Sequence, residues 1–104
     1  MDTQNIISDA KARFNLNASK QYLKDKYTSK LLFANQNGLW EATPELIVFL
    51  AGCGDPSLVL LDSYNNPIKV DPKVLLQKAR DVYITVMESW YTEFEELKNT
   101  RWGV

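Results

Sequence analysis

Residues 31–50, LLFANQNGLWEATPELIVFL, lie over residues 59–78, VLLDSYNNPIKVDPKVLLQK, at one constant offset and without a gap. Leu32 meets Leu60, Asn37 meets Asn65 and Pro44 meets Pro72. Around them fall the apolar pairs Leu31/Val59, Phe33/Leu61, Trp40/Ile68, Ala42/Val70, Leu46/Val74 and Ile47/Leu75. Two copies are too few for a solenoid, so the pattern reads as a pair of related supersecondary units inside one domain. A duplication with pseudo-twofold symmetry and the independent reuse of the same turn and cap chemistry predict the same fold.

Each copy reads as a hairpin followed by a helix. Asn37-Gly38 offers the residues that tolerate φ > 0 in a tight hairpin turn, and Asn65-Asn66 before Pro67 does the same less ideally. Strands are expected near residues 30–35, 38–42, 58–62 and 67–70. Thr43-Pro44-Glu45 and Asp71-Pro72-Lys73 are helix starts: a side-chain oxygen caps free N–H groups, and proline in the first turn sacrifices no hydrogen bond. The first helix should stop at Gly52 and Gly54, whereas the second meets no breaker before about Asn99. Alternation along the strands assigns Leu31, Phe33, Trp40, Ala42, Val59, Leu61, Ile68 and Val70 to one face. Ala34, Glu41, Asp62 and Lys69 fall on the other, with Leu32, Leu39 and Leu60. The expectation is one four-stranded antiparallel sheet with helices on the first face.

Working outward, Ile6, Ile7, Ala10 and Phe14 mark one helical stripe. Tyr22, Leu23, Tyr27 and Leu31 mark a second after the Asn15-Leu16-Asn17 interruption. The fold class is therefore α+β, in the order α-α-ββα-ββα. It forms a single domain over 1–104, with an N-terminal helical segment at 1–29, ββα units at 30–54 and 57–99, and a tail at 100–104. At 104 residues, 45% hydrophobic and 24% charged, the chain suits one globular core. The single cysteine, Cys53, permits no intrachain disulfide and fits a reducing compartment. The first twenty residues carry no basic start followed by an apolar block, and no apolar run reaches the roughly 20 residues of a membrane span, so a cytoplasmic chain with no membrane partner is expected.

Chemistry is scarce. The chain has no histidine, which removes the commonest general base and metal ligand and leaves Cys53 without an activating imidazole. Cys53 follows a helix C-terminus, where the dipole disfavours a thiolate. Glu88, Glu93, Glu95 and Glu96 read as a solvated helical face, while Asp62 and Asp71 read as turn and cap residues near strand ends. Gly52 and Gly54 lack the third glycine and the Lys-Ser/Thr of a phosphate loop. No catalytic residue, cofactor site or metal site is assigned, and the chain is not read as an enzyme.

Two surfaces remain. Lys11, Arg13, Lys20, Lys24, Lys26 and Lys30 make the N-terminal segment basic, opposite in sign to the glutamates near the C-terminus, and the net charge is −1. Lys20, Lys24, Lys26 and Lys30 are the candidate nucleic-acid contacts. Tyr22 and Tyr27, which would stack on bases, fall by helical spacing on the core side with Leu23. The second surface is on the last helix, which at about 27 residues and 1.5 Å per residue runs roughly 40 Å, longer than the sheet it covers. Leu75, Ala79, Val82, Val86, Trp90 and Leu97 trace one stripe, and Tyr83, Met87, Tyr91 and Phe94 trace another beside it. Tyr, Trp and Met are enriched at interfaces, so Tyr83, Met87, Trp90, Tyr91, Phe94 and Trp102 are the candidate protein contacts. Burial of the second stripe under the N-terminal helices is the alternative.

The segments NASKQYLKDKY, GLWEATPELIVFL, LVLLDSYNNPIKVDPKVLL and VMESWYTEFEEL resemble small proteins encoded by large contractile-tailed bacteriophages, including those of cyanobacteria. The resemblance implies a virion component or assembly accessory, made in the bacterial cytoplasm and acting in several copies. It brings no catalytic residues. The reading is a homo-oligomeric interaction protein, with a small nucleic-acid-binding factor and an adaptor or inhibitor of a host protein as its rivals.

Overall fold

A computed structural model describes the backbone of residues 3–101 and the side chains of residues 17–99. The element order is α1 (Thr3–Lys30), β1 (Leu32–Asn35), β2 (Gly38–Glu41), α2 (Pro44–Ala51), β3 (Leu58–Leu61), β4 (Pro67–Val70) and α3 (Pro72–Arg101). The chain is α+β, and both ββα units are present. The proposed stripe at Ile6, Ile7, Ala10 and Phe14, like Trp102, lies outside the described side chains.

Both helix starts fall at the prolines. Thr43 is extended and its hydroxyl accepts from the Leu46 N–H, with Pro44 in the first turn. At the second start the Asp71 carboxylate accepts from the Lys73 N–H. The expected break at Asn15-Leu16-Asn17 does not occur, and one helix runs through it. Asparagine lowers helix propensity by well under ~1 kcal/mol against alanine and has neither the ring nor the missing donor with which proline stops a helix.

The strands form two antiparallel hairpins rather than one four-stranded sheet. In the first, Asn35 pairs with Gly38, leaving Gln36 and Asn37 as a two-residue turn, and these two residues carry the positive φ values, 50° and 68°. The left-handed pair thus sits one residue earlier than Asn37-Gly38. Gly38 is needed for a different reason: a Cβ there would lie 2.8 Å from the Trp40 ring, which folds back over it and donates from Nε1 to the Asn35 carbonyl at 2.8 Å.

The second hairpin closes on a longer turn, with Leu61 opposite Pro67 and Asn65 at φ 63°. Its register differs from the first by one residue. Phe33 pairs with Trp40, but the partner of Ile68 is Leu60 rather than Leu61. Because side chains alternate, a one-residue slip turns a whole strand over. Leu58 and Leu60 therefore pack inward while Val59 and Leu61 face solvent, the reverse of the expectation for β3. In hairpin 1 the expected face holds, with Leu31, Phe33, Trp40 and Ala42 buried.

Asp62 explains why the hairpins stay separate. Although alternation assigned it to the face away from the helices, it is buried, and its Oδ1 accepts from the Tyr64 and Asn66 N–H groups while Oδ2 accepts from the Leu39 N–H. The carboxylate takes the β2 donor that a neighbouring strand would have used. Ser63 N–H donates to the Leu39 carbonyl at 2.7 Å, so the hairpins meet there, through one residue of β2. A second tie links the first turn to the base of α3: the Gln36 side-chain amide accepts from Asp71 N–H at 2.7 Å and donates to its carbonyl at 3.2 Å.

The core is built from Leu23 and Tyr27 of α1, Leu31 just after it, the inner face of hairpin 1, Leu50 of α2, Val70, and Leu75, Ala79 and Val86 of α3. With 30 residues α3 is about 45 Å long. The molecule is correspondingly elongated, 66 × 23 × 20 Å.

Candidate functional site

Helix α3 packs against both α1 and α2, and its sides are treated differently. On the α1 side, Tyr27 stacks on Trp90 with centroids 6.0 Å apart and rings 10° from parallel. One residue before Tyr27, Lys26 Nζ lies 2.7 Å from Glu93 Oε1. The partners run in opposite order along the two helices, as in an antiparallel pair. The Glu93 hydrogen bond raises the Lys26 pKa, and the same bond lowers that of Glu93. Burial raises the Tyr27 phenol, whose face also carries Lys26 and Lys30 at 5.2 and 5.0 Å.

On the other side α2 covers only the first part of α3. Pro44, Ile47 and Val48 of α2 meet Arg80, Tyr83 and Ile84 of α3 around an apolar cleft of about 180 Å³. Val48 is 72% exposed and Ile84 is 53% exposed. Beyond α2, which ends at Ala51, the same side of α3 continues through Met87, half-buried, to Tyr91, 66% exposed.

The six predicted contact residues are thus divided. Trp90 belongs with Tyr27, and Phe94 is half-buried against the core. Tyr83 meets α2 at the cleft, Met87 and Tyr91 lie along the same side of α3 beyond it, and Trp102 is outside the described residues. Sequence reasoning missed Val48 and Ile84. Val48 had a signal in the unbroken apolar run Leu46-Ile47-Val48-Phe49-Leu50, because a two-turn surface helix can bury only one of its sides, whereas Ile84 had none.

The basic surface is also divided. Lys26 is engaged by Glu93 and Lys30 lies over Tyr27, while Lys20 and Lys24 are exposed. Tyr22 is exposed rather than turned to the core with Leu23, since it lies about 100° around the helix from its neighbour. Beside the α1 contact, Glu88, Glu93 and Glu96 line an open groove of about 450 Å³ with Tyr27, Thr85, Ser89 and Thr92. Among the described residues no group of three or more potential metal ligands converges, and no helix is long and apolar enough to cross a membrane.

No family model, curated protein or solved structure matches this chain. No functional residue is therefore carried over from a relative, and the functional reading rests on the surfaces of α2 and α3.

Proposed function

We propose that the chain is a non-catalytic interaction protein that associates with copies of itself through the side of α3 shared with α2. The observation that carries this reading is the continuous apolar surface from Val48 across Ile84 to Tyr91, with Tyr83 and Met87 half-buried along it. Large aromatic and aliphatic side chains gathered at one surface gain free energy when a partner removes them from water, about 25 cal/mol for each Å² covered. The absence of histidine from the sequence supports a non-catalytic role. The resemblance to contractile-tailed phage proteins supports a virion component or assembly accessory made in the cytoplasm of a bacterial host, where a part present in several copies is the usual requirement.

Light scattering coupled to gel filtration tests the reading. The unaltered protein at tens of micromolar should have at least twice the mass of one chain. Ile84→Glu combined with Tyr91→Glu should return it to one chain with an unchanged far-ultraviolet dichroism spectrum. A monomer for the unaltered protein at that concentration overturns self-association. An oligonucleotide shift at low salt that is lost on replacing Lys20 and Lys24 would instead support the nucleic-acid reading.

A further inference from the structure

The open side of α3 has an order of chemistry that selects its partner. Arg80, Ile84, Met87, Tyr91 and Glu95 follow one another at steps of four, three, four and four residues, which confines them to roughly 80° of the helix circumference. Along this strip the sequence is cation, three apolar side chains, anion. Its midpoint falls between Met87 and Glu88. Arg80 lies as far before that point as Glu95 lies after it, and Ile84 as far before it as Tyr91 after it.

We propose that α3 pairs with α3 of a second copy, antiparallel about a twofold axis between Met87 and Glu88. Each Arg80 then meets the partner's Glu95, and each Ile84 packs on the partner's Tyr91. The proposal rests on the self-association reading above and specifies its geometry. A twofold contact must be self-complementary, and a strip with opposite charges at equal distances from its centre satisfies that condition only when the copies run in opposite directions. A parallel copy would set Arg80 on Arg80 and Glu95 on Glu95. Arg80 has no ion-pair partner among the described residues, and Glu95 has only a loose contact with Lys98 at 3.9 Å. Both charges are at hand for a partner. Methionine beside the axis suits a position where two identical side chains come close and must adapt to each other. Val48 flanks the strip and is covered by the arriving helix.

Charge reversal measured by sedimentation equilibrium tests this pairing. Arg80→Glu and Glu95→Arg should each raise the dimer dissociation constant at least ~tenfold, because each places like charges together twice in the dimer. The double variant should restore it to within about threefold of the unaltered protein, since a restored pair brings back most of its coupling. A second measurement uses chains carrying Cys53→Ser. Ile84→Cys and Tyr91→Cys chains should form an oxidative cross-link when mixed, and neither should cross-link alone. A dimer whose dissociation constant ignores the reversals, or in which Ile84→Cys links to itself, overturns the antiparallel pairing while leaving self-association standing. A monomer at every concentration overturns both.

Discussion

The two hairpins carry the same apolar pattern and lead into helices that start at equivalent prolines, yet they present their strands differently. Hairpin 1 turns through two residues, Gln36 and Asn37, and buries Phe33 against the core. Hairpin 2 turns through Asp62–Asn66, and its β3 strand is inverted, so Leu61, at the position equivalent to Phe33, faces solvent. The difference teaches that turn length outranks strand pattern. A strand such as Leu58-Val59-Leu60-Leu61 is apolar at every position and accepts either face, so the turn decides which one is buried.

The largest effect expected from this comparison lies at those equivalent positions. Phe33 is 8% exposed and Leu61 64% exposed. Phe33→Ala should cost about 3–5 kcal/mol, and Leu61→Ala should stay within about 0.5 kcal/mol, both read from urea midpoints. Should Phe33→Ala fail to fold, Phe33→Leu gives a smaller loss on the same scale, about 1 kcal/mol. Equal losses at the two sites would mean that β3 buries the face its sequence offset implies and that Leu60 does not pair with Ile68.

The turn itself supplies the next test. Asp62 occupies the position equivalent to Ala34, and its carboxyl is held below the ordinary value of 3.8 by the N–H of Asn66, then by those of Leu39 and Tyr64, which outweigh burial. A carboxyl with a folded pKa below its unfolded one adds stability that is complete above the unfolded value and disappears as pH falls through the folded value. Thermal stability of the unaltered protein should therefore drop below about pH 4, the reference range for a free carboxyl. Asp62→Asn should lower the melting temperature at pH 7 and flatten that acid limb, with Glu93 sustaining the remainder. An acid limb of unchanged slope in Asp62→Asn would show that the Asp62 carboxylate does not hold the turn.

These sites also mark what the sequence could and could not disclose. The helix starts were legible because capping is local: Thr43-Pro44 and Asp71-Pro72 act on their own backbone. The inner face of hairpin 1 was legible because its tight turn keeps the register that alternation assumes. The register of hairpin 2 was not, because it depends on a buried carboxylate binding a strand 23 residues away in sequence. The outer stripe of α3 was visible in Tyr83, Met87 and Tyr91. Which of its neighbours α1 would take, as it took Trp90, depended on a tertiary contact. Val48 was legible in the apolar run of α2, and Ile84 was missed because it is unremarkable until α2 and α3 are set side by side.

Gly38 and Asn66 are also equivalent by offset, and only one of them carries a side chain. A methyl group at Gly38 would press on the Trp40 ring at 2.8 Å. That ring is 3% exposed and anchored through Nε1 to Asn35, so it cannot swing away freely. Gly38→Ala should cost about 1–3 kcal/mol, the range for overpacking a filled site. Replacement of Asn66 by Ala should leave the Trp40 fluorescence environment unchanged, and Gly38→Ala should shift it to the red.

The smallest expected effect is found where the two units coincide. Asn37 and Asn65 are equivalent by offset and share a left-handed backbone, at φ 68° and 63°. Asparagine tolerates this region better than residues with a plain Cβ, which meet the following carbonyl oxygen. Asn37→Ala and Asn65→Ala should each lower stability by about 1 kcal/mol, equal within error, because the cost comes from the backbone and not from what the turn touches. Thermal melts of the two variants side by side provide the check. A marked inequality would show that the five-residue turn relaxes its backbone when Asn65 is changed while the two-residue turn cannot, and the copies would then differ even in the turn backbone they share.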